Sequence, residues 1–255
     1  MLADAMTALL YAIPASHPCA AIERALQIKR VPYRRVELIP GLHVVQQRAR
    51  FGAGSVPRVE LDDGTRVIGS RAIVRALEER VAEPPLLPAD RELRARVERA
   101  EEWGDQVLQP LARRVIWAAL RRAPGAIDRY TEGARLPVPR PLARASAPLV
   151  ARTSQWRNGA ADPAVRADLL ALPSHLGRVD RWVEDGTLGG ESPNVADLQI
   201  GASLALLLTV EDVAPLVDPR PAAELARRWF ADYPGSVAAG TLPAAWLPAS
   251  AATAH

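Results

Sequence analysis

A proline at the start of an apolar run constrains this chain more than any other residue. Pro57 stands between the turn Gly52-Ala53-Gly54 and the run from Val59 to Leu61. Because proline has no amide hydrogen to give to a strand ladder, it belongs at the first position of a strand. A cis Val56–Pro57 bond is accessible there at a cost of about 0.5–1 kcal/mol. That bond would turn the main-chain groups of Val56 outward, ready to pair with an extended peptide.

A hairpin and a helix start follow this proline. Apolar residues flank the pair Asp63-Gly64, which favours a two-residue hairpin turn. Ser70 then opens a helix, and the unpaired N–H groups of a first helical turn can hold a carboxylate. Two elements able to bind a small anionic peptide therefore lie next to each other in the chain.

The order of the elements resembles a known family. Upstream lie the strand-like Leu9-Leu10-Tyr11, the turn Ser16-His17-Pro18-Cys19 and the strand-like Val36-Glu37-Leu38. Strand, active-site turn, helix, strand, helix, proline-led hairpin and final helix together resemble the N-terminal domain of glutathione transferases. Farther on, the segment from Gly189 to Asp197 resembles the N-capped helix of that family's C-terminal domain.

The resemblance implies a fold of the α/β plus all-α class. A thioredoxin-like βαβαββα domain is expected to precede an α-helical bundle domain. The expected boundaries are residues 1–82 for the first domain, 83–90 for a proline-rich linker, 91–247 for the helical domain and 248–255 for a tail.

Local patterns predict the individual elements. The first two strands are expected to run parallel, since a helical crossover joins them. The predicted helices and loops are a short helix over 43–49, a long helix over 91–122 kinked at Pro110, an irregular or briefly helical segment over 124–148, a helix over 163–184 interrupted near Pro173, a buried central helix over 194–209 and a final helix over 220–232.

Ser16 is the leading catalytic candidate. The resemblance to serine-type transferases implies that it donates a hydrogen bond to the sulfur of bound glutathione. A hydrogen bond to a charged acceptor contributes about 1.5–3 kcal/mol, and a helix N-terminus about 0.3–1 kcal/mol. Together they lower a thiol pKa by about one to three units, which ionises it at neutral pH. Serine at this position can also simply cap the helix, and the two roles are compatible.

The thiol-peptide site is expected at four further residues. Val56, held by Pro57, should pair through its main chain with the cysteinyl part of the ligand, and Ser70 with the N–H of Arg71 should hold the γ-glutamyl carboxylate. The chain departs from the family at Gly69, where an acidic or amide residue usually precedes the serine. The resemblance therefore implies glutathione or another low-molecular-weight thiol as cosubstrate, with no tightly bound cofactor.

Four residues are possible accessories. His17 can orient a substrate or face solvent, and Cys19 can be a buried structural thiol or a nucleophile, because Ser16-His17-Pro18-Cys19 looks like a redox Cys-x-x-Cys motif without its first cysteine. Trp103 and Gln106 lie on the first helix of the helical domain, where they can line an apolar pocket or belong to the core.

Composition excludes several other classes. The net charge is only +3, and the arginine pairs lack interleaved aromatic residues, so no nucleic-acid partner is expected. One cysteine and four histidines favour neither a disulfide nor a metal site. No apolar run reaches membrane-spanning length, and a cytoplasmic protein is expected.

The function implied by the resemblance is transfer of a thiol peptide to an electrophilic small molecule. The resemblance also implies a homodimer, with the active cleft between the two domains of the chain. Two alternatives remain at this point. One is a noncatalytic ligand-binding or protein-interaction module that keeps the fold. The other is a thiol-dependent reductase or isomerase that uses Cys19.

Overall fold

The computed structural model describes residues 6–39, 48, 54–136 and 138–248. Its first part is built on a four-stranded sheet with the strand order β2-β1-β3-β4. The strands are β1 (Ala8–Ala12), β2 (Tyr33–Glu37), β3 (Arg58–Leu61) and β4 (Arg66–Ile68). Strands β1 and β2 are parallel, whereas β3 is antiparallel to both β1 and β4. The expected parallel pair and hairpin are confirmed.

Two helices cover this sheet. Helix α1 (His17–Ile28) makes the crossover between the parallel strands, and α2 (Ser70–Arg80) follows the hairpin. Both bury one face, which in α1 includes Ile22 and Leu26. Apolar residues at a spacing of three or four therefore place each helix against the sheet. The helix predicted over 43–49 lies outside the described residues.

The regular elements in the rest of the described chain are helices, apart from one isolated bridge between Val210 and Val237. Its helices are α3 (Arg91–Trp103), α4 (Gln109–Arg122), α5 (Ile127–Tyr130), α6 (Arg140–Arg157), α7 (Asp162–Glu184), α8 (Val195–Leu208), α9 (Ala214–Val217) and α10 (Ala223–Trp229). The α/β plus all-α fold class is thereby confirmed.

Helix α8 forms the centre of the molecule. All its residues from Val195 to Leu207 are buried, and it packs against α1, α3, α4 and α10. Its start is closed by a reciprocal cap: Asn194 accepts hydrogen bonds from the main chain of Asp197, which in turn accepts from the N–H groups of Asn194 and Gly189. Burial raises the pKa of Asp197 to about 6, although these donors oppose the shift.

Prolines act differently in three helices. Before Pro110 the long helix changes to a π-helical turn over Gly104–Leu108, so a distortion occurs where the sequence predicted a kink. Helix α7 instead runs without interruption through Pro173, and α6 through Pro148. The expected interruption near Pro173 is therefore wrong. The expected irregular or briefly helical segment is confirmed over 124–136, which holds a short 3-10 helix, α5 and a loop, and is wrong from Arg140, where α6 begins.

Burial explains the continuity of α7. An interior proline costs a helix about 3 kcal/mol. The inward residues Val165, Leu169, Leu172 and Leu176 are all 0% exposed, and each such side chain contributes about 1.5–3 kcal/mol on burial. Burial of the apolar face of α7 thus stabilises the helix by more than its proline destabilises it.

The final helix, α10 (Ala223–Trp229), is shorter than the predicted range of 220–232.

Among the residues described, none of the helices has both the length and the apolar character needed to cross a membrane.

Candidate active site

A cavity of about 390 Å³ opens between the sheet domain and the helices. One side, called here the sheet-domain wall, consists of Ser16, His17, Val56, Pro57, Gly69 and Ser70 with their neighbours. The other side, called the helical wall, includes Asp105, Gln109, Arg113, Trp117, Tyr130 and Arg157. Four residues that the sequence predicted for catalysis and thiol binding therefore line one cavity: Ser16, Val56, Pro57 and Ser70.

The Val56–Pro57 turn presents unpaired main chain to the cavity. The bond between the two residues is cis, as expected. Neither the N–H nor the C=O of Val56 makes a hydrogen bond with another described residue. The Pro57 carbonyl accepts from the Gly69 N–H at 3.1 Å, which ties the turn to the start of α2. An extended ligand can pair with Val56 as an added strand would.

A hydrogen bond from the Arg58 side chain also supports the Val56–Pro57 turn. Arg58, only 2% exposed, donates from Nε to the Ser55 carbonyl at 2.8 Å. Burial lowers the pKa of the Arg58 guanidinium. A buried arginine thus anchors the residue that precedes Val56.

Helix α2 directs its start at the cavity. Ser70 is its first residue and is 7% exposed, and its hydroxyl has no hydrogen-bond partner among the described residues. The preceding Gly69 has φ = 88°, a left-handed value that favours glycine, and the space beside its Cα is open. Free amide hydrogens and a free hydroxyl form a binding position for a carboxylate.

The Arg71 side chain points to the helical domain and is absent from the cavity lining. Its Nε lies 3.6 Å from Glu101 Oε2, and its Nη1 lies 3.8 Å from Glu102 Oε1. Arg75 completes the contact with two hydrogen bonds to Glu101, at 2.5 and 3.3 Å. Burial raises the pKa of Glu101, and the arginines oppose that shift. The Arg71 side chain thus joins α2 to α3, which leaves only its main chain near the cavity.

Ser16 lies at the N-cap position of α1, at the end of a tight turn. Its side chain makes no capping hydrogen bond with the helix. The preceding Ala15 has φ = 51°, and its carbonyl accepts a hydrogen bond from the Tyr233 hydroxyl at 2.6 Å. Burial raises the pKa of Tyr233 well above its usual value, so the phenol keeps its proton. A residue of the helical domain therefore holds the turn that carries Ser16, a contact that no sequence motif marked.

Cys19 lies behind the sheet-domain wall, whereas His17 is part of that wall. Cys19 is completely buried, and burial raises its thiol pKa to about 11, although the nearby Ser16 side chain opposes the shift. His17 is 3% exposed, and burial followed by the positive charge of Arg113 lowers its pKa well below 6.5. Its Nε2 is buried with no hydrogen-bond partner among the described residues. His17 is thus a neutral, buried residue at the cavity and does not face solvent.

The structure puts Trp103 and Gln106 outside the cavity lining. Trp103 packs against His175 and Trp182, with ring centroids 5.7 and 5.3 Å apart. Gln106 donates to Glu102 at 3.1 Å. Trp103 packs against the core, which is the other role that the sequence left open.

The residues that line the helical wall instead are Asp105, Gln109 and Arg113. The π-helical turn contains Asp105, and Gly104 beside it packs so closely on α8 that an added Cβ would come 2.8 Å from Ile200. A spacing of four residues puts the three side chains on one face. That spacing is the signal in the sequence that could have identified them.

Hydrogen bonds fix this face to the central helix. Gln199 of α8 donates to Gln109 Oε1 at 2.8 Å, and Gln109 donates to Asp105 Oδ1 at 3.3 Å. Gln199 also reaches the same carboxylate oxygen at 3.5 Å. The network holds Asp105 in place, and no described residue forms an ion pair with it.

Within the described ranges, no three His, Cys, Asp or Glu side chains come together as metal ligands.

The described chain thus combines a thioredoxin-like domain with a helical domain, and the two share one cleft. Residues 10–85 match the family model described as the glutathione S-transferase N-terminal domain. The resemblance of the chain to glutathione transferases is thereby confirmed. No sequence among curated proteins matches the chain.

Solved structures share the whole fold. A glutathione S-transferase from Rhodospirillum rubrum F11 is 23% identical with a TM-score of 0.60, over 88% of this chain and 86% of that one. FzlA from C. crescentus is 20% identical with a TM-score of 0.55, over 88% and 86%. A maleylacetoacetate isomerase from Anaeromyxobacter dehalogenans 2CP-1, solved with GSH in its active site, is 23% identical with a TM-score of 0.52, over 88% of each chain. At these identities the comparisons establish the fold.

Proposed function

We propose that this protein transfers glutathione, or another low-molecular-weight thiol, to an electrophilic small molecule. The observation that carries the proposal is the meeting of three binding groups in one cavity: the Ser16 hydroxyl, the unpaired main chain of Val56 and the start of α2 at Ser70. The family match over residues 10–85 and a fold-related isomerase solved with GSH support the same ligand.

Each group has a separate task in binding. The γ-glutamyl carboxylate accepts from the N–H groups of Ser70 and Arg71 and from the Ser70 hydroxyl. The cysteinyl part pairs with Val56 in the manner of an added strand. Ser16 donates its hydroxyl hydrogen to the sulfur, and the start of α1 adds a favourable field for negative charge.

The chemical step is a nucleophilic attack by sulfur. The bound thiol loses its proton to solvent because Ser16 stabilises the thiolate. The sulfur lone pair then forms a bond to the electrophilic carbon. Either a leaving group departs with its bonding electrons, or an activated double bond takes up a proton after addition.

Calorimetric titration with glutathione is the first test, and a Ser16→Ala variant is the second. We expect wild-type binding, and in the variant a rise of about one to two units in the pKa of the bound thiol, because a hydrogen bond to a charged acceptor contributes about 1.5–3 kcal/mol. Turnover should fall with thiol ionisation. Ultraviolet absorbance of the bound thiolate measures the pKa directly.

A matched control is Ser192→Ala, which changes an exposed serine before α8. It should alter neither the thiol pKa nor turnover. Binding of glutathione without turnover of any electrophile would favour the noncatalytic module. Ser16→Ala with an unchanged thiol pKa would remove Ser16 from its proposed role.

The reductase or isomerase alternative needs an accessible thiolate at Cys19. A fully buried thiol with a pKa of about 11 is a poor nucleophile at neutral pH. We therefore favour Ser16 chemistry. The homodimer, the cytoplasmic location and the absence of a nucleic-acid partner stay predictions of the sequence.

A further inference from the structure

Arg113 is the arginine of α4 that faces the cavity. It lines the helical wall together with Trp117, one helical turn farther along. Burial lowers the pKa of its guanidinium, whereas Asp105 raises it. The charge of Arg113 is thus held partly out of water at the site itself.

No described residue pairs with this charge. Arg113 makes no hydrogen bond and no ion pair within 4.0 Å in the described part of the chain. The next residue behaves differently: Arg114 donates to both carboxylate oxygens of Asp168, at 2.6 and 2.8 Å. Asp105, on the same face as Arg113, is already held by Gln109 and Gln199. A desolvated cation without a partner is costly, and a bound anion would remove that cost.

The other charges around the cavity leave it positive. Arg157 adds a second positive charge at the exposed rim, and Asp105 is the acidic residue among the described lining. His17 is neutral because burial and Arg113 lower its pKa. The lining therefore has the sign that attracts an anion.

Apolar side chains line the cavity on the same wall as Arg113. Ile116, Trp117 and Leu120 follow Arg113 along α4 and also line the cavity. A ligand that satisfies both features has an apolar body and one anionic group. A planar guanidinium matches a carboxylate best, since it offers two parallel hydrogen bonds.

We propose that the electrophile is a carboxylic acid with an apolar body, and that Arg113 binds its carboxylate while Trp117 and its neighbours contact the rest. The identification of the bound acid as the electrophilic substrate rests on the proposed function, but the anion site itself does not. The γ-glutamyl carboxylate of glutathione belongs at the start of α2, on the opposite wall.

Binding is tested on the full chain with para-nitrobenzoate and, as the neutral analogue, para-nitrobenzamide. Neither compound reacts with thiols, so glutathione is not needed. Calorimetry should show that Arg113→Met weakens the benzoate at least about tenfold and changes the amide less than about twofold, as expected for a charge-assisted hydrogen bond. Arg113→Lys should retain part of the benzoate affinity.

Arg121→Met is the matched control, because Arg121 is an exposed arginine on the same helix and away from the cavity. It should leave both affinities unchanged. The thermal midpoint of Arg113→Met should equal or exceed that of the wild type, since the substitution removes a half-buried charge that has no partner among the described residues. A lowered midpoint would identify a structural arginine and overturn the proposal, as would equal losses for benzoate and amide.

Turnover extends the test with para-(chloromethyl)benzoate and its amide. Sulfur forms the new bond to the chloromethyl carbon while chloride leaves with the bonding electrons. The ratio of kcat/KM for acid over amide should fall at least about tenfold in Arg113→Met, with an unchanged glutathione Kd. Loss of glutathione affinity instead would assign Arg113 to the thiol peptide and overturn the inference. If glutathione fails to bind the wild type while the benzoate binds through Arg113, the proposed function falls and the anion site stands.

Discussion

The two walls of the cavity offer different parts of the polypeptide to a ligand. The sheet-domain wall presents main-chain groups and hydroxyls, at Val56, Ser70 and Ser16. The helical wall presents long side chains, above all Arg113 and Trp117. Main-chain groups are the same whichever side chain a residue has, whereas a helical face changes with each substitution.

This difference assigns separate tasks to the walls. A wall of turns and helix starts suits a constant ligand, because its geometry is fixed by backbone conformation. A wall of side chains suits a variable ligand, because its shape and charge follow the residues on one helical face. The proposed thiol peptide and the proposed acid match that division.

The largest effect that we predict concerns the thiol behind the sheet-domain wall. A thiol pKa raised from 9.0 to about 11 lowers the thiolate fraction of Cys19 at neutral pH by about a hundredfold. Native protein should therefore react with iodoacetamide at least about a hundredfold more slowly than free cysteine. Mass spectrometry follows the reaction without ambiguity, since Cys19 is the single cysteine of the chain.

Unfolding in urea supplies the control, because Cys19 should then react like free cysteine. Raising the pH should accelerate the native reaction until the pH passes about 11. A native rate close to that of free cysteine would mean that the wall offers a thiol as well as a hydroxyl. The reductase alternative would then regain support.

Much of the sheet-domain wall could be predicted because its residue types restrict the backbone to particular conformations. Proline before an apolar run, the Asp63-Gly64 turn and Ser70 at a helix start each restrict the backbone in a way that sequence reveals. The strands, both helices and the cis bond at Pro57 agree with these signals. The conformational preferences of single residues were therefore sufficient to predict this wall.

The helical wall gave no comparable signal. Arg113 and Gln109 lie in a regular helix, and the choice between lining and core depends on a rotation of about one residue. The π-helical turn over Gly104–Leu108 produces such a rotation, and it brings Asp105 to the cavity in place of Gln106. The sequence marks a distortion at Pro110, but it does not show which side chains that distortion turns towards the cavity.

A smaller effect tests whether the helical domain positions the other wall. Tyr233→Phe removes the hydrogen bond to the Ala15 carbonyl, which is 2.6 Å long. We expect a loss of about 0.5–1.5 kcal/mol in the free energy of unfolding. Because Ala15 precedes Ser16, the pKa of the bound thiol should also rise. Urea unfolding and thiolate absorbance measure the two effects.

Tyr33→Phe is the matched control for this variant. It also removes a tyrosine hydroxyl, which donates to Glu23 at 2.9 Å, and neither of these residues lines the cavity. Stability should fall by a similar amount while the thiol pKa stays constant. Equal thiol pKa values in both variants would show that the walls act independently.

The smallest predicted effect is the change in glutathione affinity on substitution of Val56, and it tests the sheet-domain wall most directly. If Val56 binds the thiol peptide through its main chain, Val56→Ala should change the glutathione Kd less than about twofold, since the N–H and C=O remain. Ser70→Ala removes a hydroxyl that faces a carboxylate and should weaken glutathione about tenfold or more. Titration of both variants compares a main-chain contact with a side-chain contact on one wall. Equal losses would mean that the Val56 side chain itself contacts the ligand, and the contrast between the walls would then disappear.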